Sequence, residues 1–353
     1  MRKLLFLLCI GLNLSFSAKA QTGITIHSES VDSLLRWFNN GCSTEEIPSL
    51  LRIPANQIME QLLHSNEKDA ITFSEALHRF SAEHSLPNND YLLNDAYTKR
   101  EQISALMKAF TDSVIKKQPL DDVKTYFPTD FALSSCHKVY YTATGWQWGD
   151  AMTFNYIQKE NDFMLSQEGE SAIIFNLSII VATYGKTVDE QVAAYKKVLA
   201  HELFHALLSE YIADKNYYRS DELESTALFL LMNEGIAHFI ADGYYIKANY
   251  DSLKKEEQSC LALFNEKSKI IFDINEDMEL RKDALEKGLY GSYWNKYVAV
   301  TGLFMAYHIH QFGGMELLRE CIEKGPIFFF ETYGEISKAN PNLPIVCKKI
   351  IND

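Results

Sequence analysis

The chain has 353 residues, 47% hydrophobic and 23% charged, the balance of a globular protein with room for one large domain or two smaller ones. Its formal net charge of −13 argues against nucleic acid and anionic membrane as partners, because both would repel it.

Met1 is followed by Arg2 and Lys3, an almost wholly apolar run from Leu4 to Phe16, and Ala18-Lys19-Ala20 ahead of Gln21. A positive start, a short apolar run and small residues at the two positions a signal peptidase inspects make a secretory signal peptide over residues 1–20. The run is too short for a bilayer, which takes ~20 residues. Cys9 follows Leu7 and Leu8 rather than a small residue, which does not fit a lipoprotein. No later run is long enough to span. The mature chain is therefore expected to be exported, periplasmic or secreted, with no membrane insertion after cleavage. Cleavage removes Arg2, Lys3 and Lys19 and no acidic residue, so the mature chain is more acidic still. It keeps Cys42, Cys136, Cys260, Cys321 and Cys347, an odd number with no CxxC pair. A cysteine-zinc cluster is thus not expected, at least one thiol stays free, and Cys321 with Cys347 is the candidate bridge.

From Val31 to Lys117 apolar residues recur at helical spacing: Val31, Leu34, Leu35 and Phe38, then Ile58, Leu62 and Leu63, then Ile103, Leu106, Met107 and Phe110. Pro48, Pro54, Pro87 and Pro119 punctuate them. Residues 21–126 should form a helical N-terminal region, and 127–353 a second domain. Val139–Tyr141, Ala151–Ile157 and Ala172–Tyr184 are β-rich. Phe175, Leu177 and Ile179 alternate with Asn176 and Ser178, the pattern of a half-buried strand. Gly149 and Gln167-Glu168-Gly169 mark turns. After Gly185 the chain turns helical. Thr187 and Glu190 form a capping box, and Val188, Val192, Tyr195 and Leu199 continue one stripe. A second helix should start near Asp221, capped with Glu224. A third should run from Ser292 to Phe312 and end at Gly313-Gly314.

His201-Glu202-Leu203-Phe204-His205 is an HExxH motif inside the helix capped by Thr187. Two histidines four apart project from one helical face and can bind one zinc ion together. Glu202 can reach a zinc-activated water without ligating the metal, and can take its proton. Two histidines merely packed on one turn would leave buried polar groups to satisfy.

Asn233-Glu234-Gly235-Ile236-Ala237-His238 follows. HExxH succeeded by a helix carrying Asn-Glu-small-x-small resembles the gluzincin superfamily of zinc metallopeptidases. More narrowly, the chain resembles an uncharacterised bacterial family of zinc-dependent peptidases. The matching stretches are Gly145-Trp-Gln-Trp-Gly-Asp-Ala151, His201 to His205, Asn233 to His238, and Gly291-Ser-Tyr-Trp-Asn-Lys-Tyr297 running on to Gly313-Gly314. The resemblance implies that Glu234 is the third zinc ligand beside His201 and His205. Its distance from the HExxH is longer than in the best-known gluzincins, and Glu224 sits nearer that spacing. Glu234 is preferred, because Glu224 already has a capping role and the Asn-Glu-Gly context belongs to Glu234. His238, one turn on, stands where several relatives carry an aspartate that orients a zinc histidine; Asp242 is the other residue for that role. Tyr297, ahead of Gly302 and Gly313-Gly314, resembles the tyrosine that donates to the oxyanion in aminopeptidase-like gluzincins, with Tyr293 as its rival. His308 lies roughly 16 Å along the helix from Tyr297 and, like His310, is read as structural. His137 beside Cys136 lacks supporting ligands.

The expected fold is α+β and predominantly helical, with a zincin-like catalytic domain whose small mixed sheet precedes the HExxH helix. The expected cofactor is one Zn2+ per chain, and the expected chemistry is hydrolysis of a peptide or protein substrate with Glu202 as general base. The strand at Phe175–Ile179 is expected to offer an edge for an extended peptide. The rival functions are hydrolysis of a non-peptide amide, and an exported binding protein whose zinc site is structural or vestigial. An intact Glu202 argues against the last.

Overall fold

The computed structural model describes residues 23–66, 69–110, 115, 117–145, 149–159, 162–166, 169–213 and 215–346. The expected signal segment lies outside the described residues, as do Trp146, Gln147, Trp148, Gln167, Glu168 and Cys347. The fold is α+β and mostly helical, with a small mixed sheet. By its contacts the chain divides into two units. One holds the described residues up to Asp121 together with Leu133–Ala213; the other holds Asp122–Ala132 and the described residues from 215 onward. The division does not fall at residue 126: the N-terminal helices and the sheet share one unit.

In the first unit, α1 (Glu29–Asn39), α2 (Ile47–Leu51), α3 (Pro54–Asn66), α4 (Phe73–Glu83), α5 (Leu93–Thr98) and α6 (Arg100–Ala109) follow one another, and α7 (Gln118–Lys124) leads out of it. The apolar stripes face inward as their spacing dictates: Val31, Leu34 and Phe38 of α1, Ile58 and Leu62 of α3, and Ile103 and Leu106 of α6 are buried. Thr72 Oγ1 caps α4 by accepting from Glu75 N at 3.1 Å.

The sheet has the order β1-β2-β5-β3-β4. Its strands are β1 (Gly23–His27), β2 (Cys136–Thr142), β3 (Ala151–Lys159), β4 (Asp162–Leu165) and β5 (Glu170–Asn176). β1 and β5 run parallel to β2, while β3 is antiparallel to both β5 and β4. The β-rich segment expected at 172–184 stops at Asn176. There the Asn176 side chain accepts from Ser178 N at 3.1 Å and starts α8 (Leu177–Thr183). The alternation at 175–179 misleads because Leu177, Ile180 and Val181, at helical spacing, are also the residues that bury.

The HExxH helix, α9 (Val188–Ile212), opens with the expected capping box of Thr187 and Glu190. It docks on the sheet through Tyr195, which is fully buried beside Tyr141, Phe175 and Phe110. The Tyr195 and Tyr141 hydroxyls are 2.5 Å apart, so this aromatic contact also has a fixed direction.

In the second unit, α10 (Leu223–Ile271), α11 (Met278–Lys287), α12 (Tyr297–Lys324) and α13 (Pro326–Ala339) form a helical bundle. The expected Asp221 cap is not made. Glu222 is the N-cap residue of α10, without a side-chain cap bond. Glu224 instead accepts from the buried guanidinium of Arg281, whose Nε also donates to Ile271 O at 2.9 Å. The helix expected from Ser292 begins at Tyr297, after a 3-10 turn at Tyr293–Asn295. Gly314, at φ 68° and ψ −168°, is not helical and divides α12 into two helical segments, so the first segment ends at the expected Gly313-Gly314. Among the described residues no helix is long and apolar enough to cross a membrane. Cys42, Cys136, Cys260 and Cys321 form no disulfide with one another. Burial pushes the thiols of Cys42 and Cys260 up to about 11 and that of Cys321 up to about 12, which removes them as nucleophiles.

α10 and α12 make a close helix crossing at two glycines. A Cβ on Gly302 would lie 1.9 Å from the Leu231 carbonyl oxygen, and one on Gly235 would lie 2.3 Å from the Gly302 carbonyl carbon. Neither backbone can yield without separating the helices. Gly302→Ala should therefore destabilise the fold by about 3 kcal/mol and lower the melting temperature by several degrees in a thermal unfolding scan. An unchanged melting temperature would contradict the crossing.

Candidate active site

Because α9 is regular through its centre, His201 and His205 stand one turn apart on the same face. Their Nε2 atoms are 3.0 Å apart and their rings are nearly perpendicular, at 86°. Two imidazole nitrogens bound tetrahedrally to one zinc, each at about 2.0–2.1 Å, are separated by about 3.3 Å. The pair therefore suits a shared ion, and both rings are only half-buried.

Glu202, on the next position, is buried. Its Oε2 accepts from Thr153 Oγ1 at 2.8 Å, and the same hydroxyl lies 3.1 Å from the Glu202 main-chain oxygen. Thr153 is fixed in turn by β3, where it pairs with Ile173 of β5.

β3 also corrects the expected edge. The residues at 175–179 offer none, since β5 is paired on both sides, by β2 and by β3. The part of β3 from Ala151 to Asn155 pairs with β5 alone among the described strands, because the β4 pairing begins at Tyr156. Asn155 O accepts from Ser166 N at 3.0 Å on the side away from β5. By the two-residue repeat of a strand, the N–H and C=O of Thr153 face that same side, where no described strand pairs with them. The strand that holds Glu202 is thus also the strand with backbone groups to offer.

The far end of α9 is tied to β2. Glu210 accepts from Ser134 N at 2.5 Å and from the Ser134 and Ser135 hydroxyls at 2.8 and 2.5 Å. The buried His137 places Nε2 3.3 Å from its Oε2. The bonds from Ser134 and Ser135 therefore anchor this end of α9.

In the second unit, Glu234 sits on α10 immediately before the glycine crossing. Tyr290 lies between α11 and the 3-10 turn, with its side chain 41% exposed. Its hydroxyl is pushed above the ordinary tyrosine value by burial and then by the Glu234 charge. His238 is largely buried and packs edge-on against Tyr293, with ring centres 5.4 Å apart. Asp242 accepts from the Tyr293 hydroxyl at 2.9 Å. Tyr297 is buried, and its hydroxyl donates to the Ala284 carbonyl. Tyr293 is likewise committed, to Asp242. His308 is structural, as expected: its Nε2 lies 2.7 Å from Glu257 Oε1, and Tyr250 donates to Glu257 Oε2 at 2.9 Å. Sequence reading missed Thr153, which stands in no motif and meets Glu202 across 49 positions.

The family model described as "Putative zinc dependent peptidase (DUF5700)" matches residues 47–342. The chain belongs to this family. No curated protein and no solved structure matches it. The matched span takes in the HExxH helix, Thr153, Glu234 and the glycine crossing.

The Glu210 anchor has a pH signature. Burial pushes its carboxyl up, but the contacts with His137, Ser135 and Ser134 outweigh it and hold the value at about 2, below the ordinary 4.5. A depressed folded value stabilises the protein above the unfolded one, and that stabilisation is lost as pH falls from 4.5 towards about 2. The stability gap between wild type and Glu210→Gln, from denaturant melts, should be widest near neutral pH and narrow through that window. A gap constant with pH would contradict the anchor.

Proposed function

We propose that the protein is an exported peptidase of gluzincin type, with one zinc held by His201, His205 and Glu234 and with Glu202 as general base. The observation that carries this reading is the pair of Nε2 atoms 3.0 Å apart on the helix that also carries a buried, hydrogen-bonded Glu202. Ligand chemistry supports it: the three residues offer two imidazole nitrogens and a carboxylate oxygen, a set able to hold a metal ion. Membership of a zinc-dependent peptidase family supports the substrate class. Export rests on the leader-like residues 1–20.

When bound, zinc supplies the positive charge that polarises the scissile carbonyl and makes water a nucleophile at neutral pH. Glu202 accepts the proton released as the water oxygen bonds to the carbonyl carbon. It returns that proton to the amine as the C–N bond breaks. The edge of β3 at Thr153 pairs with the substrate backbone, which suits an extended peptide better than a small amide.

Elemental analysis of the mature protein should find one zinc per chain, lost in His205→Ala and weakened in Glu234→Gln. Glu224→Gln should keep the metal and lose stability, because it leaves the buried Arg281 without its charged partner. Zinc loss with Glu224 and not with Glu234 would overturn the ligand set.

Wild-type protein should cleave members of a diverse peptide library and stop when zinc is chelated. Glu202→Gln should keep the zinc and the fold but turn over at least ~100-fold more slowly, the scale of a general base. Wild-type turnover in that variant would remove Glu202 from the mechanism.

A further inference from the structure

Glu202 has one carboxylate oxygen engaged and one that takes no hydrogen bond among the described residues. Oε2 is held at 2.8 Å by Thr153 Oγ1. A general base needs this asymmetry, with one oxygen fixed so that the other points at the reacting water. Proton transfer demands hydrogen-bond reach and alignment, and a free glutamate side chain samples many rotamers.

We infer that Thr153 is the positioning residue of the general base: its hydroxyl sets the orientation of the Glu202 carboxylate. The inference rests on the reading of Glu202 as base and deepens it. Thr153 suits the task because it is itself immobile. β-Branching restricts its χ1, and its backbone is paired to Ile173 in the sheet. The hydroxyl also lies 3.1 Å from the Glu202 main-chain oxygen, so it registers the side chain against its own backbone on α9. The same residue turns its N–H and C=O to the side of β3 that no described strand pairs at this position. Substrate backbone and general base are thereby referred to one residue, and small errors in their relative placement, which cost rate steeply, are suppressed.

The test compares Thr153→Val, which keeps the shape and removes the hydroxyl, with Thr153→Ser, which restores it. Crystal structures of the metal-free variants provide a readout independent of turnover. The Glu202 carboxylate should leave its wild-type position in the valine variant and keep it in the serine variant. In zinc-loaded full-length mature protein, valine should lower kcat roughly 10-fold with KM within about twofold, and serine should recover most of the loss. Zinc content and melting temperature should stay at wild-type values in both. An unmoved carboxylate in the valine variant, or a kcat equal to wild type, overturns the inference. A loss of kcat that serine does not recover overturns it too. Glu202→Gln measured in parallel separates the two claims. If that variant is inactive while Thr153→Val is normal, only the positioning role fails. If it is as active as wild type, the assignment of the base fails.

Discussion

Two imidazole Nε2 atoms 3.0 Å apart can share one hydrogen bond or one metal ion, and either arrangement requires that α9 hold both rings in place. The rest of the first unit can be understood as keeping that pair in place. Three ties run along α9 from start to end. Tyr195 meets Tyr141 near the start. Thr153 grips Glu202 in the middle. The serines of the loop before β2 grip Glu210 near the end. Each tie is polar and directional, so it fixes the rotation of the helix about its axis as well as its distance from the sheet. Apolar packing alone would allow the helix to roll, and a roll would turn the imidazoles away from their common point.

What could be read from sequence was what the chain encodes locally. The Thr187 capping box, the HExxH spacing and the inward stripes of α1, α3 and α6 depend on residues three or four apart, and the structure shows them where expected. The site features that escaped depend on partners distant in the chain. Thr153 meets Glu202 across 49 positions, and Arg281 meets Glu224 across 57. No periodicity announces such pairs. β1 and β4 escaped for a related reason: each is short, and each exists as a strand because of what it pairs with. Asn176 shows how two local signals compete. Alternation predicted a strand through it, but its side chain caps α8, and the helix buries Leu177, Ile180 and Val181 together.

Asn233-Glu234-Gly235 looks like one motif, yet its members face different constraints. Successive residues on a helix point about 100° apart, so Gly235 and Glu234 cannot serve the same neighbour. Gly235 is buried at the crossing with Gly302, where any side chain would meet backbone. Glu234 is half-buried on an adjoining face, and its charge is felt by Tyr290. The glycine thus acts on the glutamate indirectly: it sets where α10 lies against α12, and hence where the carboxylate is carried. Farther along α10, Glu257 takes a contact from His308 of α12 and a hydrogen bond from Tyr250 in the bundle interior. Such a network is costly unless its partners remain in place, so it resists sliding of one helix along the other. The two contacts are complementary. The glycines fix how closely α10 and α12 approach, and the buried Glu257 network fixes their register, so the carboxylate of Glu234 is located both across and along the bundle.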